Sequence, residues 1–143
     1  MLRSREAIVA LFTAAIPFSL INFSAYLKGG MPDPVQVAGS LAYMAMWFTA
    51  ALYFGLRGIR FLRGLTIYWG LGGLLTIAAF IADKLAIALP IYFIFAGPLY
   101  GIRIFLNVRP DAKFVLIGIA IVYTASCIGY LIGIERSRRI NGC

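Results

Sequence analysis

Five long runs without a single charged residue divide this chain, at 7–27, 35–56, 64–82, 85–102 and 114–134. They hold 21, 22, 19, 18 and 21 residues. A helix needs about 20 apolar residues to cross a hydrocarbon core of about 30 Å, so each run is long enough to span a bilayer. A transmembrane barrel strand would instead alternate apolar and polar positions over about ten residues. These runs are apolar on every face, which predicts helices.

The connectors at 28–34, 57–63, 83–84 and 103–113 are short. Short connectors make neighbouring helices pack antiparallel. The first is dense in Gly, Pro and Asp and reads as a true loop, as does the stretch around Arg109, Pro110 and Asp111. The fold class expected is all-α: a polytopic transmembrane helical bundle of about five spans, forming one integral membrane domain over 1–143. Pro90 and Pro98 in the fourth run each remove a helix hydrogen bond. They support an alternative of four spans plus a re-entrant segment at 85–102. The first run follows Arg3 and Arg5 like a signal peptide, but its apolar core exceeds the 7–15 residues of such signals. It reads as a retained helix.

Composition agrees: 62% of residues are hydrophobic, 13% are charged, and the mean hydropathy is +0.93. Soluble domains are about half apolar and about a quarter charged. The net charge of +8 comes from basic residues in the connectors, so it reads as topology signals and headgroup contacts rather than as a nucleic-acid face. With five crossings and the N-terminus in the cytoplasm, 8 cations lie inside and 5 outside. With the re-entrant alternative the division is again 8 to 5. Charge counting selects a cytoplasmic N-terminus without choosing between the two arrangements, and with no organellar targeting segment visible the location expected is the plasma (inner) membrane of a prokaryote.

Motifs follow. Gly97 and Gly101, and Ala125, Gly129 and Gly133, have the small-xxx-small spacing that lets helix backbones approach closely. Gly70, Gly72 and Gly73 weaken the third helix, either for close packing or to expose backbone to a ligand. Pro17 frees the Thr13 carbonyl and predicts a kink in the first helix. Asn22 needs a partner in hydrocarbon, either another helix or a polar cavity. Arg57, Arg60 and Arg63 would share one face if helical and meet lipid headgroups. Tyr26, Tyr68, Trp69 and Tyr100 suit the interfacial belt, while Trp47, Tyr92 and Tyr123 lie deeper. Asp83 and Lys84 read as a tight turn or as polar contacts at a cavity mouth. Cys127 reads as a small hydrophobe and Cys143 as a free thiol.

The chain has no His, and Glu6, Asp33, Asp83, Asp111 and Glu135 all fall outside the apolar runs. That disfavours a proton relay, a His-dependent metal site and a Ser-His-Asp triad. No catalytic residue, metal or cofactor is expected. The partners expected are the lipid bilayer and a membrane protein or second copy, with no nucleic acid. The function expected is a non-catalytic accessory, assembly or regulatory component acting through helix contacts. The alternative is a small transporter or channel protomer acting as a homo-oligomer.

Overall fold

The computed structural model of the protein describes residues 4–82, 85–106 and 108–141. The described chain is all-helical. Helix α1 covers Ser4–Lys28, α2 Pro34–Leu56, α3 Leu62–Ala82, α4 Leu85–Phe95, α5 Arg103–Leu106 and α6 Ala112–Asn141, and a 3₁₀ turn at Gly97–Ile102 joins α4 to α5. Four helices are long and apolar enough to cross a membrane, or five if the pair Ala88–Phe95 and Gly97–Leu106, bent by 57°, counts as one span.

Local chemistry sets the boundaries. Asp33 caps α2: its Oδ1 accepts from the Gln36 N–H at 2.8 Å, and Gln36 Oε1 accepts in return from the Asp33 N–H at 3.0 Å. Pro34 follows in the first turn, where its missing N–H costs nothing. Asp111 does the same for α6, accepting from the Phe114 N–H at 3.1 Å. α1 and α2 each stop at a glycine in the left-handed region, Gly29 at φ 65° and Gly58 at φ 64°. The backbone then closes on itself, Gly30 N–H to Ala25 O and Ile59 N–H to Phe54 O.

Helix directions follow from pairings. Ile8 and Phe12 of α1 lie beside Gly64 and Tyr68 of α3, so the two run parallel. Phe18 and Asn22 of α1 meet Tyr43 and Ser40 of α2, an antiparallel register. Phe48 and Leu52 of α2 meet Gly129 and Gly133 of α6, which is parallel. Thr66 and Gly73 of α3 meet Tyr123 and Leu116 of α6, which is antiparallel. Hence α1 and α3 run one way, and α2 and α6 the other. The end of α3 and the start of α6 share one end of the bundle, where Ile77 and Phe80 adjoin Asp111 and Lys113. The bent pair between them therefore leaves and returns at that same end, the re-entrant arrangement of the two expected from the sequence. This is called the loop end below. The opposite, terminal end carries the start of α1, the α2–α3 turn and the end of α6.

The inner faces recur every three or four residues: Leu11, Ala15, Ser19, Asn22 and Tyr26 on α1, and Gln36, Ser40, Tyr43, Trp47 and Ala51 on α2. Large aliphatics such as Leu20, Leu74 and Ile81 point outward and are about two-thirds exposed or more, at 67%, 67% and 76%. The outer face is thus strongly apolar, as expected where lipid is the solvent.

Several motifs lie otherwise than the sequence suggested. Residues 57–61 form a turn and Arg63 opens α3, so the three arginines share no helix face, because Gly58 breaks the helix between them. α3 is continuous through Gly70, Gly72 and Gly73 with no unwinding. Tyr26, Tyr68, Trp69 and Tyr100 are buried rather than belt residues, since Tyr68 and Trp69 pack with Trp47 and Phe95, and Tyr26 packs edge-on against Tyr100. Cys127 is half-buried. Asp83, Lys84 and Cys143 lie outside the described residues.

In a background with Cys127 and Cys143 replaced by Ser, Met31→Cys and Arg109→Cys will label with a membrane-impermeant maleimide from the same side. A cysteine added after the last residue will label from the other. Labelling of Met31→Cys and Arg109→Cys from opposite sides would mean that the fourth segment crosses.

Candidate functional site

The re-entrant segment brings a problem of its own. A six-residue 3₁₀ turn, every residue of it buried, leaves backbone groups unpaired at a depth where water does not reach. Side chains from α1 and α2 supply the partners. Ser40 Oγ accepts from the Gly101 N–H at 2.8 Å and from Asn22 Nδ2 at 3.2 Å. Ser19 Oγ donates to the Phe93 carbonyl at 2.5 Å. Gln36 Nε2 reaches the Ile21 carbonyl at 3.3 Å and ties α2 to α1 just below.

Two glycines make the seat possible. A Cβ on Gly101 would overlap the Gln36 carbonyl and stand 2.7 Å from Ser40 Oγ, and one on Gly97 would stand 2.9 Å from Ser19 Oγ. The expected Gly97/Gly101 pair therefore serves two different neighbours, α1 and α2, rather than one helix face. The difference arises because their turn is 3₁₀, in which positions four apart are not stacked.

Arg103 closes the seat at the loop end. Its Nε donates to the Val108 carbonyl at 2.9 Å, and one terminal nitrogen to the Gly29 carbonyl at 2.8 Å, the Gly30 carbonyl at 2.7 Å and Tyr100 Oη at 2.7 Å. The Tyr100 hydroxyl in turn donates a hydrogen bond to the Gly30 carbonyl. One guanidinium thus joins the α1–α2 loop, the 3₁₀ turn and the loop leading to α6, using acceptors that a compact ammonium could not reach together.

Below the seat lies an aromatic layer. Trp47 stacks on Tyr68 at 4.9 Å and tilts against Trp69 at 5.1 Å, and Phe95 from the tip of α4 joins them, 5.5 Å from Tyr68. A Cβ on Gly72 would collide with the Phe95 ring, so that glycine is the slot for the tip of the re-entrant segment. Tyr43 Oη, Tyr68 Oη, the indole nitrogens of Trp47 and Trp69, and Asn22 Oδ1 are all buried without a hydrogen-bond partner.

Gly129 and Gly133 rest against the backbone of α2: a Cβ on Gly129 would stand 2.9 Å from the Phe48 carbonyl, and one on Gly133 would overlap the Leu52 carbonyl. Gly55 answers from α2, against the Tyr130 carbonyl. Ala125 is half-buried one turn earlier on α6. Gly70 instead opens onto a groove of about 270 Å³ between α3 and α6, where the Thr66 and Tyr123 hydroxyls meet at 3.0 Å.

Ser19, Gln36, Ser40 and Arg103 were not singled out in the sequence, and Tyr100 was read there as a belt residue rather than as a partner of the turn. The readable signal was their spacing: Ser19 and Asn22 three apart, Gln36 and Ser40 four apart, each pair on one helix stripe inside an apolar run. No protein-family model, curated protein or solved structure matches this chain.

Ser40→Ala will strip the Gly101 N–H and the Asn22 amide of their shared acceptor. An unsatisfied buried group costs about 1–3 kcal/mol, so the variant should melt several degrees lower in detergent. Gly101→Ala should cost a similar amount, about 1–3 kcal/mol, by overpacking. Wild-type melting of both variants would show that the seat does not hold the segment.

Proposed function

We propose that this protein is a non-catalytic membrane component that works through contacts of its helices within the bilayer, as an accessory, assembly or regulatory subunit. The chain is a multi-span helical membrane protein, and what supports the finer reading is how its interior polar side chains are used. Ser19, Asn22, Gln36, Ser40, Tyr100, Arg103 and Tyr130 all make bonds that fasten one segment of the chain to another. Groups committed in this way build a rigid surface, which suits a protein that presents a face to a partner.

One observation favours a second reading, a small transporter or channel protomer acting as a homo-oligomer. The helix break after Phe95 lies beside Ser19, one turn from Asn22, whose Oδ1 is buried without a partner. Broken helices ending at polar side chains are a recurrent way of building a transport site. By the positive-inside rule, the terminal end, with 7 cations to 4 at the loop end among the described residues, faces the cytoplasm.

The deciding experiment is gentle extraction from native membranes, with native mass and identification of all co-purifying chains. A defined hetero-complex is expected. A homo-oligomer that carries ion or solute flux in proteoliposomes by itself would replace the accessory reading with the transport one.

A further inference from the structure

The terminal end of the bundle gathers arginines from two distant parts of the chain. Gly133 of α6 lies against the backbone of Leu52 and Leu56 in the last turn of α2. Arg57 follows Leu56 directly, and Arg136, Arg138 and Arg139 follow Gly133 within two turns. Arg60 and Arg63 complete the α2–α3 turn, and all six side chains are exposed.

The turn that carries Arg57 and Arg60 is fixed in place. Its Ile59 carbonyl accepts from Tyr130 Oη at 3.1 Å, Ile59 N–H bonds back to Phe54, and Phe61 is fully buried, stacked on Phe54 at 4.7 Å. The α6 side is a continuation of a helix of 30 residues, about 45 Å long at 1.5 Å per residue. That exceeds a core of about 30 Å, so its basic turns stand at the level of the headgroups.

The residue type is informative. Among the described residues, every cation in the α2–α3 turn and the end of α6 is arginine, and both lysines, Lys28 and Lys113, are at the loop end. Topology alone is served equally by Lys and Arg. What Arg adds is a planar fork that engages phosphate oxygens in pairs. One carboxylate is ion-paired in this group, Glu135 with Arg139 on the next turn of α6.

We infer that this arginine face is a binding site for anionic phospholipids, gripping headgroup phosphates between the α2–α3 turn and the last turns of α6. The ligand is a lipid phosphate at the bilayer surface, and the site does not depend on whether the protein is an accessory subunit or a transporter.

The test uses the full chain in nanodiscs of equal phosphatidylglycerol and phosphatidylcholine, with the lipids retained after stripping counted by native mass spectrometry. Wild type should retain the anionic lipid with roughly tenfold preference, as expected for several charge-assisted phosphate contacts. A variant with Arg57, Arg60, Arg63, Arg136, Arg138 and Arg139 all changed to Lys keeps the charge and the topology signal. Its preference should fall to about a third of wild type or less, since lysine lacks the fork. If that variant does not fold, the two triple variants, 57/60/63 and 136/138/139, should each show part of the loss. Equal retention of both lipids by wild type would overturn the site. So would full preference in the lysine variants, or displacement of the lipid by a polyglutamate peptide, which would make the face a protein-docking surface.

Discussion

A backbone that leaves the helical path inside hydrocarbon must find hydrogen-bond partners within the protein, and this constraint organises the bundle. The 3₁₀ turn after α4 has its Gly101 N–H on Ser40, and the preceding α4 has its Phe93 carbonyl on Ser19. These bonds require α1 and α2 to stand on either side of the turn, with glycine at 97 and 101 so that the backbones can come close enough. Arg103 then locks the exit of the segment to the α1–α2 loop. Removing the Ser40 contact leaves the buried Gly101 N–H unpaired, and Arg103 adds the loop to the same set of contacts, so the segment, the two helices and the loop are energetically coupled.

Elsewhere the bundle is held by contact rather than by exclusion from water. Lipid tails solvate leucine as well as a protein core does, so helices associate through close packing and hydrogen bonds. The parallel α2–α6 pair shows the first: Gly55, Gly129 and Gly133 bring backbone against backbone. The aromatic layer of Trp47, Tyr68, Trp69 and Phe95 shows how bulk is used where small residues are not, filling the space under the tip of the re-entrant segment. Both explain why aromatic residues near the ends of apolar runs went inward instead of to an interfacial belt.

Charge illustrates a limit of counting. The 8 to 5 division is the same for five crossings and for four with a re-entrant segment. What separates them is the pairing of α3 with α6, in which Thr66 meets Tyr123 and Gly73 meets Leu116. Only an even number of crossings brings those ends together. The pairing of Gly133 with the last turn of α2 likewise unites two arginine clusters, one at Arg57 and the other at Arg136, that are distant in the chain.

The sequence by itself determined that this protein is a helical membrane bundle, because the length and uniform apolarity of its runs leave no other way to satisfy the backbone in lipid. It also marked Asn22 as a residue needing a partner and Gly129 and Gly133 as a smooth helix face, since both follow from side-chain chemistry alone. It could not say which partner each would take. In a membrane both faces of a helix are apolar, so there is no strong amphipathic signal to orient it, and direction and neighbours depend on contacts far apart in the chain. The tertiary structure alone decided that 85–106 turns back, that Ser19 and Ser40 cradle it, and that glycines four apart in a 3₁₀ turn face different helices. Those outcomes rest on satisfying a handful of buried N–H and C=O groups, whose partners are fixed only once all the helices are packed.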